Sequence, residues 1–169
     1  MRLWLLRHAK SSWQDEDLPD IERPLAPRGQ RAADAIARYI DRESIHPALV
    51  LCSPALRARE TLEHVLPSLG GPEIGVEPEL YTFEPEPLLV RLRSVPDHIA
   101  SVMLVGHNPA VQRLAITLAR TGDRRADLVA HYPTGALAEL ETDAETWSDV
   151  SDAGAVLTRF VLPRQLPRP

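Results

Sequence analysis

A chain of 169 residues with 44% hydrophobic residues is long enough and apolar enough to bury one core, which excludes a disordered polymer and predicts one domain over residues 1–169. Its formal charge of −5 argues against a nucleic-acid or membrane-surface partner, since either would need net positive charge to meet phosphates, so any phosphate site must be local. The lone Cys52 cannot form an internal disulfide, and the opening apolar run is too short for a leader or a membrane span, so the expectation is a cytoplasmic protein.

Taken in chain order, residues 3–6 form an apolar run without alternation, as strands buried on both faces do. Residues 14–27 are polar and read as a loop. Ala32, Ala33, Ile36, Ala37 and Ile40 then recur at helical spacing. A second buried strand is expected at residues 48–51, followed by a helix through Ala58, Leu62, Val65, Leu66 and Leu69. Residues 69–78 read as a loop. A third strand at residues 102–105 precedes a helix through Val111, Leu114, Ala115 and Leu118, and residues 122–127 again read as a loop. Residues 134–141 and 154–162 are candidates for a strand pair near a sheet edge. Alternating strands and helices predict an α/β fold, a three-layer α/β/α sandwich around a mostly parallel central sheet.

The chemistry gathers just past each buried strand. The first run ends in Arg7-His8, the second in Cys52-Ser53-Pro54-Ala55-Leu56-Arg57, and the third in Gly106-His107-Asn108-Pro109. The carboxyl ends of parallel strands share one edge of the sheet, so two histidines and two arginines should converge there. Ser53-Pro54 and Asn108-Pro109 have the form of a helix cap followed by proline at the first helical position, which predicts two helix starts at the same edge. Such a site is electropositive inside an acidic protein, and its guanidinium forks suit the oxygens of a phosphoryl group. A neutral histidine beside them is a candidate nucleophile that divides a hydrolysis into two transfers.

Leu6-Arg7-His8-Ala9-Lys10-Ser11-Ser12-Trp13 resembles the Arg-His-Gly signature of the histidine phosphatase superfamily, which includes phosphoglycerate mutases. Ser53-Pro54-Ala55-Leu56-Arg57-Ala58-Arg59-Glu60-Thr61 is similar to a second stretch of that family, and Val105-Gly106-His107-Asn108-Pro109 to its second-histidine segment. Ala9 in place of the signature glycine, together with Arg23-Pro24-Leu25, Arg28-Gly29 and Pro133-Thr134-Gly135-Ala136, resembles the small SixA-type branch of phosphohistidine phosphatases. The resemblance implies a phosphoglycerate mutase-like fold without a large cap insertion and, from the branch, a bacterial source. It also implies His8 as nucleophile, and Arg7, Arg57 and His107 as the rest of the phosphate pocket. Ser11 and Gln14 are further candidates for substrate contact at the mouth, and Lys10 for its lining.

Neither a cofactor nor a metal is expected: the two guanidiniums supply positive charge, and the histidines lack a metal-ligand spacing. Larger relatives use an acid on the leaving group, for which Glu84 and Glu86 are candidates only as carboxylates in a loop. An imidazole leaves more readily than an alkoxide, so a phosphohistidine substrate needs such an acid less. The expected partner is therefore a protein carrying phosphohistidine, with a small phosphorylated metabolite as the alternative and a non-catalytic phosphate-binding module as the reading from another class. The spacings from Cys52 to Arg57 and Arg59 fit no cysteine phosphatase loop. His46, His64, His98 and His131 read as ordinary loop residues. Nothing in the sequence sets an oligomeric state.

Overall fold

The computed structural model describes residues 1–167 of the chain. Seven strands form one sheet: β1 (Arg2–Arg7), β2 (Leu49–Cys52), β3 (Glu73–Val76), β4 (Ser101–Gly106), β5 (Ala119–Thr121), β6 (Leu137–Thr142) and β7 (Ala155–Val161), in the order β3-β2-β4-β1-β6-β7-β5. Every neighbouring pair is parallel except those made by β6, which runs against both β1 and β7. The helices are α1 (Pro27–Arg42), α2 (Leu56–Val65), α3 (Pro85–Arg93), α4 (Ala110–Leu118) and α5 (Arg125–Ala130).

The unbroken apolar runs explain the layering. Side chains alternate across a strand, so Leu3 and Leu5 of β1 join Leu88 and Leu92 of α3 and Val111 and Leu114 of α4 in one core. Trp4 and Leu6 face the other way, onto Ile36 and Ile40 of α1 and Leu62 and Val65 of α2. Leu5 and Leu6 are wholly buried on opposite faces, each stabilising the fold by roughly 2 kcal/mol. The result is the expected three-layer α/β/α sandwich.

Several local expectations are corrected. β3 lies inside the segment read as a loop; its mostly exposed Glu73-Ile74-Gly75-Val76 pairs on one side only, with β2, and so lacks an apolar pattern. Helix α5 begins within the supposed loop at residues 122–127. The pair β6 and β7 forms, but β5 covers its outer side and takes the edge. Helix α3 was hidden by Pro85 and Pro87, which its first turn accommodates because those positions need no intrahelical donor. Neither expected helix cap forms: α2 starts after Ala55 and α4 after Pro109, whose peptide bond with Asn108 is cis.

Topology sets the location of the site. β1 and β4 are adjacent and parallel, yet the helix that follows β1 packs on one face of the sheet and the helix that follows β4 on the other. Their exits diverge at the carboxyl edge, the general position at which a ligand crevice opens in open α/β sheets.

Candidate active site

Register delivers the side chains. Arg7 pairs with Gly106 across β1 and β4, and Cys52 with Val105 across β2 and β4, so the residues just past the three strands stand at one level. The ladder continues one step beyond, with His8 N–H donating to the Gly106 carbonyl (2.9 Å) and Ser53 N–H to that of Val105 (3.0 Å). From behind, the Pro133-Thr134 turn ends in Gly135, whose φ of 76° suits glycine and whose N–H reaches the carbonyls of both Arg7 and His8. Gly29 of α1 must also be small, because a Cβ there would meet the Lys10 carbonyl oxygen at 2.1 Å. The backbone around the Arg7-His8 pair is therefore gripped by the sheet, a turn and a helix.

The two imidazoles lie 5.1 Å apart, centroid to centroid, and both are buried. His8 Nδ1 donates to the carbonyl of Ala9 at 2.7 Å, which fixes the neutral tautomer with its lone pair on Nε2. Burial, only partly offset by that hydrogen bond, and the nearby Arg57, Arg7 and Arg23 push the His8 pKa down to about 4. His107 is lowered to about 3 by burial, by His8 and by Arg57. Its Nε2 donates to the Ser53 hydroxyl (2.7 Å) while its Nδ1 accepts from Arg57 Nη2 at 3.4 Å. Ser53 thus orients the second histidine, where the sequence assigned it to a helix cap.

Two guanidiniums flank the rings. Arg7 Nη1 donates to the Tyr132 carbonyl (2.8 Å), but its Nε is buried with no acceptor among the described residues. A sealed donor without a partner costs about 1–3 kcal/mol, and an oxyanion lodged beside it would remove that cost. Arg57, nearly fully buried, gives Nη1 to the Asp20 carbonyl oxygen (2.6 Å) and Nη2 to the Asp20 carboxylate (2.9 Å).

Asp20 is the principal residue that the sequence reading missed. Its carboxylate also accepts from the Tyr81 hydroxyl (2.5 Å) and from Arg23 Nη1 (3.1 Å). Partial burial raises its pKa, but Tyr81, Arg57 and Arg23 outweigh that and bring it down to about 2. It is an ionised carboxylate held on the Arg57 guanidinium rather than a stored proton. Arg23 is buried as well; it donates to Ser11 Oγ (2.6 Å) and its guanidinium lies 3.2 Å from the centre of the exposed Trp13 ring. The available signal was the Arg23-Pro24-Leu25 stretch with an acid three residues upstream.

Two aromatic rings complete the crevice: Tyr81 and Phe83 pack against His107 with centroids at 5.4 and 5.8 Å. Ser11 is buried against Arg23, whereas Gln14 is exposed and its side chain makes no hydrogen bond with the cluster. Glu84 reaches outward to Arg113 (3.3 Å), and Glu86 is exposed in the first turn of α3. Cys52 is buried in the core with its thiol pKa pushed up to about 12 by burial, which makes it inert. Among the described residues, no group of three or more His, Cys, Asp and Glu side chains is placed to hold a metal ion, and no helix is long and apolar enough to cross a membrane.

A neutral imidazole, two guanidiniums and a second imidazole at the switch point of an α/β sheet define a phosphatase-type site. Comparison with known proteins agrees. Residues 3–83 match the family described as the histidine phosphatase superfamily (branch 1). An uncharacterized protein of Mycobacterium tuberculosis is 35% identical over 163 residues, which cover 94% of this chain and all of the relative. The proposed phosphohistidine phosphatase SixA of Nakamurella multipartitia superposes with a TM-score of 0.84 at 28% identity, over 96% of this chain and 95% of that one. The proposed SixA of Agrobacterium tumefaciens superposes with a TM-score of 0.78 at 30% identity, over 96% and 97%. The chain belongs to the histidine phosphatase superfamily, in its SixA-type branch.

Proposed function

We propose that this phosphatase removes the phosphoryl group from phosphohistidine on a protein, through a covalent intermediate on His8. The observation that carries the reading is the His8 ring: Nδ1–H is held by the Ala9 carbonyl, and Nε2 is left neutral, with no partner among the described residues, beside two guanidiniums. Nε2 attacks phosphorus while the bond from phosphorus to the substrate imidazole breaks. Arg7 and Arg57 hold the equatorial oxygens, the usual electrostatic task in phosphoryl transfer. The substrate ring departs as neutral imidazole when its far nitrogen already carries a proton. Water then attacks the phosphorus on His8, the bond to Nε2 breaks, and phosphate leaves with the proton that water gives up.

Two features support an imidazole leaving group. The carboxylate nearest the arginines, Asp20, is ionised and so has no proton to give an alkoxide. The half-exposed Phe83 ring beside His107 offers a face on which an arriving imidazole can stack. Gln14 enters no step of this scheme, and Ser11 acts through Arg23.

The test is a substrate panel combined with trapping. A phosphohistidine peptide should be turned over well ahead of sugar and glycerate phosphates, with a transient acid-labile phosphoryl label that requires His8. Faster turnover of the metabolites would reject phosphohistidine as substrate, and p-nitrophenyl phosphate hydrolysis equal in wild type and His8→Ala would reject catalysis altogether.

A further inference from the structure

Beside the site, a groove of about 790 Å³ runs between α1 and the segment after β7. Five cationic side chains line it: Lys10, Arg28, Arg31, Arg38 and Arg164. None of them makes an ion pair among the described residues. Among the described residues the groove's one carboxylate, Asp34, is already engaged by His64 at 2.6 Å. In a protein of net charge −5 this is a concentrated positive strip, and like charges so placed repel one another until an anionic partner arrives.

One end of the strip lies at the nucleophile. Lys10 is two residues past His8, and the Pro133-Thr134 turn that lines the groove is the one that backs His8. The other end is remote, since Arg28 and Arg38 are ten residues apart on one helix, about 15 Å along its axis. A single phosphoryl group at His8 does not span that length, whereas four or five residues of extended peptide do. Single-stranded nucleic acid fits less well, because no Phe, Tyr or Trp lines the groove to stack a base. Leu162 and Leu166 add an apolar floor.

We propose that this groove docks an acidic, partly apolar segment flanking the phosphohistidine of the protein substrate; the assignment rests on the function proposed above. Charge complementarity of this kind governs encounter and selectivity.

The test compares two phosphohistidine peptides of equal length, one with Glu- and Leu-containing flanks on both sides and one with Ser flanks, using wild type and the exposed-surface variant R31E/R38E. The expected result is at least a tenfold preference of wild type for the acidic peptide, expressed in KM, weakened by salt and lost in the variant, while p-nitrophenyl phosphate turnover stays within twofold. Equal use of the two peptides by wild type, a preference that survives in the variant, or a parallel loss on p-nitrophenyl phosphate would overturn it. If wild type hydrolyses p-nitrophenyl phosphate but neither peptide, the phosphohistidine reading fails and the groove is judged by binding alone. Salt-sensitive anisotropy of the labelled unphosphorylated acidic peptide that R31E/R38E abolishes would then sustain it, and absent binding or tighter binding of oligothymidylate would overturn it.

Discussion

The two halves of the crevice are built differently. Arg7, His8, Ser53, Arg57 and His107 come from strand ends and the start of α2, and Ser53, Arg57 and His107 are at most 3% exposed. Asp20, Tyr81 and Phe83 come from connecting segments and keep substantial exposure; Phe83 is 46% exposed. In the proposed mechanism the strand ends and the start of α2 therefore supply the groups that act on phosphorus, at positions set by the backbone ladder and the helix that leaves it. In the same scheme the loops supply groups that would meet whatever is attached to it. Substitutions in the first half should cost rate, and those in the second should alter affinity.

The largest effect is expected at His8. His8→Ala should lower turnover of p-nitrophenyl phosphate on the order of 10³-fold or more, as removal of a covalent nucleophile does, while tungstate still binds; a steady-state assay with anion titration reads both. Arg57→Ala should cost more than about 10²-fold in kcat, the scale for one transition-state donor, and near-normal kcat would place Arg57 outside the reaction. On the loop side, Phe83→Ala should raise KM for a phosphohistidine peptide roughly threefold to tenfold, the range of one aromatic contact, with kcat within twofold. Asp20→Asn should tighten tungstate binding by roughly twofold to fivefold, since it removes a negative charge that shares Arg57 with the anion; weaker binding in calorimetry would mean that Asp20 is needed to aim Arg57.

Acid titration separates the halves without mutation. His8 and His107 have folded-state pKa values of about 4 and about 3 against an ordinary 6.5. The unfolded chain therefore takes up these protons first, and stability should fall as pH drops from about 6.5 through 4. Asp20 is shifted from 3.8 to about 2, so its contribution is present above 3.8 and lost only as pH falls toward 2. Melting temperatures should decline across the first window in wild type and stay flatter there in His8→Gln/His107→Gln. An unchanged wild-type melting temperature between pH 7 and pH 4 would contradict the depressed imidazoles.

The same division separates the residues that are legible in the sequence from those that are not. β1, β2 and β4 announce themselves by unbroken apolar runs, and parallel pairing then places Arg7, His8, Arg57 and His107 along one edge. Asp20 carries no such mark: it sits in a polar stretch, and its role comes from Arg57, 37 residues away in sequence, and Tyr81, 61 away. Phe83 has the look of a loop aromatic because its neighbour His107 is distant along the chain. Strand β3 is invisible for a related reason, since an exposed edge strand has one hydrogen-bonded neighbour and no obligation to be apolar. Ser53 carries a signal, but a serine before proline has two uses, and only the third dimension shows that its hydroxyl holds a histidine.

The acceptor that sets the His8 tautomer belongs to the peptide group of Ala9, not to a side chain. In many enzymes the orienting partner of a histidine is a carboxylate that one mutation can delete. Here no exchange of amino acids erases the acceptor, because every residue brings its own C=O. Lineages descended from such a protein could therefore shed pocket groups and change clientele while His8 kept an unprotonated Nε2, and losing that state would require bending the main chain itself.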